Sequence, residues 1–168
     1  MSYVPSHRVS ASEALAPPNA LVYIPSTTNT SYVTTGNVPL NTPTVWFGSW
    51  MPSITNNIIT LPSGYYYFVE SAQAVYYGTS KHAYININVY DETNSQNIGN
   101  LGKCVYWDLG RQSNNNRDNA AFAFIDCVSS GIDISIKAHS NNGIYSINYT
   151  DTVGYAGLGR TIIWRLDP

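Results

Sequence analysis

Along most of the chain, from Leu21 to Leu166, apolar and polar residues alternate with a period of two. Ile85, Ile87 and Val89 would face one way, and Tyr84, Asn86, Asn88 and Tyr90 the other. Ile132, Ile134 and Ile136 likewise oppose Asp133, Ser135 and Lys137. This is the period of a strand with one side in a core, and it predicts β-structure. Strands are expected over 21–24, 45–50, 57–61, 65–77, 83–90, 98–107, 120–128, 132–138, 144–149 and 160–166. A weak edge strand is expected near Tyr32 to Thr34. Trp46 and Trp50, four apart on an expected strand, should share a face that is core or subunit interface. No segment carries a helical period.

The breaks between these runs are turn sequences. Pro62-Ser63-Gly64, Ser129-Ser130-Gly131 and Asn141-Asn142-Gly143 supply residues that tolerate tight or left-handed backbone. About nine or ten short antiparallel strands at this spacing indicate an all-β sandwich of the jelly-roll kind. Residues 1–19 differ: they lack alternation and contain Pro17-Pro18, which favours an extended backbone. The expected division is an extended arm at 1–19 and a jelly-roll domain at 20–168. The arm is either a frayed terminus or a docking segment, with Tyr3, Val4, Val9 and Leu15 as its apolar contacts.

Composition narrows the function. Of 168 residues, 43% are hydrophobic and only 11% charged, so the chain can build a core but has few groups for acid–base chemistry. The 14 tyrosines suit both strands and interfaces. A net charge of −2 with scattered Lys and Arg offers no basic stripe, so nucleic acid is not an expected partner. No apolar run reaches the roughly 18 residues of a membrane helix, and 1–12 lacks a signal peptide's apolar stretch. The chain is therefore expected to stay in the cytosol or to leave it by a route such as lysis. Cys104 and Cys127, on expected strands with apolar neighbours, are read as buried free thiols.

Three stretches resemble a known family. Leu61-Pro62-Ser63-Gly64-Tyr65-Tyr66-Tyr67-Phe68-Val69, a Pro-x-Gly turn before an aromatic strand, resembles the central motif of C1q/TNF-like jelly rolls. Ser80-Lys81-His82-Ala83 through Asn88-Val89-Tyr90-Asp91-Glu92-Thr93 resembles a segment of bacteriophage tail-fibre and virion proteins of this type. The closing Thr161-Ile162-Ile163-Trp164-Arg165-Leu166 looks like their terminal strand. The resemblance covers Ile58 to Leu166 and implies a homotrimer packed about a threefold axis through aromatic and small apolar residues. It carries over no catalytic residue and no cofactor. A chain with only a short arm fits a stand-alone decoration or spike protein on the virion exterior, held by contacts to capsid or tail proteins. It also fits a tail-fibre tip cut from a longer chain.

Other chemistry is thinly represented. His7, His82 and His139 are far apart in sequence, and no nucleophile elbow, P-loop or zincin motif occurs. The adjacent acids Asp91-Glu92 lie in an expected turn; they could be structural, hold calcium, or with Asp118 serve a hydrolase. The amide-rich stretch Gln112 to Asn119 is expected to be a loop. Asn114, Asn115, Arg117 and Asp118 would offer groups that match sugar hydroxyls, with Tyr106 or Trp107 as a stacking platform. Such a surface would recognise a host glycan, on a fibre tip or a soluble lectin; a solvated loop is the plainer alternative.

Overall fold

A computed structural model describes residues 19–26, 29–32, 35–77, 83–106, 117–140, 145–147 and 159–168. These residues form thirteen strands and no helix. In chain order they are β1 Ala20–Pro25, β2 Asn29–Tyr32, β3 Thr35–Asn37, β4 Thr44–Phe47, β5 Ser53–Thr55, β6 Ile58–Leu61 and β7 Tyr66–Tyr77. There follow β8 Ala83–Asp91, β9 Gln96–Tyr106, β10 Arg117–Asp126, β11 Ile132–Ser140, β12 Tyr145–Ile147 and β13 Arg160–Leu166. The strands beyond the expected nine or ten are short ones, β3 and β5 having three residues each.

Every pairing is antiparallel, and the strands form two sheets. The first runs β4-β1-β13-β7-β10, and the second β9-β8-β11-β6-β5. Strand β9 belongs mainly to the second sheet, paired with β8 from Ala83↔Tyr106 to Asp91↔Gln96, but touches β10 at Phe122↔Asn100. That contact requires Gly99, which has φ +77 and on which a Cβ would sit 2.1 Å from the Phe122 carbonyl oxygen. Among the strands of these two runs the chain passes from one sheet to the other at β4–β5, β6–β7, β7–β8, β9–β10 and β10–β11, and again between β11 and β13. Such crossing buries one face of each sheet against the other, the jelly-roll solution for a two-layer β domain.

The core lies between the sheets. Val22, Ile24, Tyr67, Val69, Ala121, Ala123, Ile125, Cys127 and Ile163 come from the first sheet, and Ile59, Leu61, Ile87, Val89, Ile134, Ile136 and Ala138 from the second. Tyr67 is fully buried, and its hydroxyl donates to the Pro62 carbonyl at 3.0 Å. At one end the core holds a satisfied polar group: Gln73 Nε2 donates to Ser71 Oγ at 2.8 Å, and Thr161 Oγ1 reaches the same Ser71 oxygen at 3.1 Å. Cys127 is free and buried, as expected; the Cys104 side chain lies outside the described residues.

Three local expectations need correction. Strand β4 stops at Phe47, because Gly48 at φ +77 turns the chain close to the Asn19 carbonyl, where no Cβ would fit. Trp46 and Trp50 therefore do not share a face: Trp46 is exposed, while Trp50 packs on Tyr67 and the core. Residues 53–55 and 58–61 form a hairpin where only the second strand was expected, its turn made by Asn56 (φ 53) and Asn57 (φ 64). Two adjacent left-handed residues are the tight-hairpin conformation that asparagine tolerates best among non-glycines. Arg117, Asp118 and Asn119 are not loop but the start of β10, paired with Val75, Ala74 and Gln73.

Candidate functional site

The register of the first sheet sorts its outward side chains into ranks that cross the strands. One rank is Phe47, Leu21, Trp164, Phe68 and Phe124; the next is Thr44, Tyr23, Ile162, Glu70 and Phe122. A third carries Pro25, Arg160, Ala72 and Ala120, and a fourth Leu166, Tyr66 and Asp126. Cross-strand partners share a face, so these ranks form one surface over five strands, about 19 Å wide at the usual strand spacing.

The surface is aromatic. Tyr66 stacks on Phe124 at 5.6 Å between ring centroids, and Phe68 contacts Phe122 at 6.2 Å and Trp164 at 5.2 Å. At the far edge Tyr23 lies flat on Trp46, 4.8 Å apart and 7° from parallel. A bulge makes that contact possible: Leu21 pairs with Phe47 and Val22 with Val45, leaving Trp46 as the extra residue. The bulge thus leaves two successive side chains, Trp46 and Phe47, both exposed.

These rings are uncovered. Trp46 is 57% exposed, Phe47 55%, Phe122 44% and Phe124 62%. Covering what each still shows to water is worth about 2–3 kcal/mol. Together that is on the order of 10 kcal/mol, comparable with the freedom lost when two proteins associate. Patches of this extent on a folded domain mark contact surfaces.

The outward face of the second sheet is the opposite case: it is polar, and many of its groups are already partnered, the buried Asn86 Oδ1 being an exception. Thr60 donates to Asp133 at 2.7 Å, Ser135 to Glu92 at 2.6 Å, and Asn88 to Asn97. Lys137 lies 3.1 Å from the Glu92 carboxylate and 3.3 Å from the centre of the Tyr90 ring. The buried Asp91 accepts from the backbone and side-chain nitrogens of Asn94, at 2.9 and 2.7 Å. Burial acts to raise the Asp91 pKa, but its hydrogen bonds from Asn94, Thr93 and Gln96 outweigh it and hold the carboxyl below its ordinary value. Asp91 is thus occupied in shaping the β8–β9 turn, and Glu92 in holding that turn to β11.

The side chains of the residues singled out for glycan recognition lie outside the described residues. Tyr106 ends β9 opposite Ala83, and Arg117 and Asp118 open β10; their side chains lie outside the described residues. So do Trp107, Asn114 and Asn115, and the arm residues Tyr3, Val4, Val9 and Leu15. Among the described residues no group of three or more His, Cys, Asp or Glu side chains is placed to hold a metal. The aromatic face went unrecognised in the sequence, although its signal is there. Tyr66-Tyr67-Phe68-Val69, Ala121-Phe122-Ala123-Phe124-Ile125 and Ile162-Ile163-Trp164 are apolar at every position. That is the signature of a strand covered on both sides.

No family model matches the chain, and no curated protein is similar to it in sequence. Solved structures do match in shape. The Eiger TNF of S. frugiperda superposes with a TM-score of 0.52 at 8% identity, covering 89% of this chain and 93% of that one. Murine APRIL at pH 5.0 gives 0.51 at 6% identity, over 86% of this chain and 98% of that one. At such identities the likeness is one of fold, and the fold is the C1q/TNF-like jelly roll.

Proposed function

We propose that this chain is a non-enzymatic structural protein that assembles as a homotrimer through the outward face of its first sheet. The observation that carries this is the uncovered aromatic surface on strands whose sequence is apolar on both sides. A cyclic trimer gives each such face a partner of the same composition, and the C1q/TNF resemblance implies that arrangement. The second sheet, whose outward face is polar and largely paired within itself, then forms the outside of the particle.

The further assignment is to the exterior of a bacteriophage virion, as a decoration or spike protein of the capsid or tail. It draws on the segments that resemble virion and fibre proteins, above all residues 80–93 and 161–166. The arm at 1–19 is the proposed contact with the particle, and a glycan-binding fibre tip is the alternative role.

Light scattering on the purified chain at several concentrations tests the assembly. A stable species of about three times 18.5 kDa is expected, and a monomer throughout the range would overturn it. Removing residues 1–19 should then abolish incorporation into particles while leaving the trimer intact. Incorporation that survives the truncation would reject the arm as anchor.

A further inference from the structure

Within the apolar ranks of the first sheet stand two opposite charges without a partner among the described residues. Glu70 is half-buried in the second rank, between Ile162 and Phe122, with Phe68 and Ala72 next on the same face of its own strand. Arg160 is exposed one rank further on, opposite Ala72. Among the described residues neither side chain has a hydrogen bond or ion pair, although Glu70 and Arg160 lie diagonally across adjacent strands. Asp126, the remaining charge in the four ranks, accepts a hydrogen bond from the Val128 backbone nitrogen at 2.9 Å.

Covering this face removes water from the Glu70 carboxylate, and an ion buried without a partner costs several kcal/mol. The same face supplies one guanidinium, Arg160, whose planar fork suits a carboxylate. Relief points the same way. Arg160 lies in a rank of small or flat neighbours, Pro25, Ala72 and Ala120, beside ranks built of large rings. A trough next to a ridge accepts the ridge of another copy, and Glu70 stands on that ridge.

Building on the assembly proposed above, we infer that Glu70 of one copy pairs with Arg160 of the neighbouring copy and fixes the register of the interface. The rings supply the bulk of the contact energy but slide easily over one another. The ion pair admits one offset and penalises the rest.

The test is a charge swap on the full chain, with solution mass measured by sedimentation and circular dichroism used to verify folding. Glu70→Arg and Arg160→Glu should each weaken assembly at least tenfold. The double variant Glu70→Arg/Arg160→Glu should recover to within about threefold of the unaltered chain. Mixing the two single variants should recover assembly only in part, since in a ring of three at most two interfaces can join opposite charges and the third joins like ones. If the unaltered chain assembles and both single variants assemble equally well, the pairing is wrong. It is also wrong if the double swap stays weak, or if mixing restores nothing while the double swap does, since the pair would then close within one chain. A monomeric unaltered chain would instead sink the assembly itself.

Discussion

Single residues carry stability here mainly where strands come very close. Gly99 lets β9 touch β10, and any Cβ there would meet the Phe122 carbonyl and the Ala123 side chain in a left-handed conformation. Gly99→Ala should therefore lower unfolding stability by about 2–4 kcal/mol in urea titration. A loss near zero would mean that β9 does not cross there. Cys127 is a second case, with a thiol pushed above its ordinary acid constant by burial. In a Cys104→Ser background, Cys127 should resist a disulfide reagent at pH 8 in the native protein and react fully in denaturant. The burial of Cys127 was legible in the sequence from its alternation with Ala121, Ala123 and Ile125. The need for Gly99 was not, because a close approach between sheets depends on where distant strands end up.

Elements were readable to the extent that one pattern governed them. The expectation for the closing strand, 160–166, matches β13 residue for residue, and β11 was anticipated from its three isoleucines. The failures lie where a turn overrode the pattern: Gly48 cut short the strand that would have aligned Trp46 with Trp50, and Asn56-Asn57 created a hairpin. The β8–β9 turn is the element most sensitive to acid. Asp91 has a folded pKa below the unfolded one, so its contribution is present above about pH 4, the ordinary carboxylate range. It is lost as the pH falls through the lower folded value. Asp91→Asn should cost about 1–2 kcal/mol at pH 7 and flatten the decline of melting temperature below pH 4. An unchanged acid limb in that variant would show that other carboxylates set it.

For the whole molecule, the outward ring surface separates folding from assembly. Phe122 and Phe124 point away from the core, so the double variant Phe122→Ser/Phe124→Ser should keep its circular dichroism spectrum while the assembled species falls to 18.5 kDa. Loss of the folded spectrum would mean that the rings stabilise the domain itself. Which face of β7, β10 and β13 was core could not be read from sequence, since both faces are apolar. Only the register shows that Tyr67 and Val69 point in while Tyr66 and Phe68 point out. The glycan-binding candidates were chosen by composition around 106–118, and their side chains lie outside the described residues.

Strand β13 lies between β1 and β7, pairing with both along nearly its whole length. The middle of the first sheet is thus completed by a segment that the ribosome releases late. Until 160–166 emerges, β1 has no neighbour on that side and β7 exposes a long free edge, an open template for pairing with other nascent chains. Folding of this sheet must wait for β13, the last of its strands to be made, and its central pairings join residues far apart in sequence, which makes it slow. A ribosome stalled near residue 155 would hold an aggregation-prone half-sheet, so translation speed over the codons of β13 bears directly on yield.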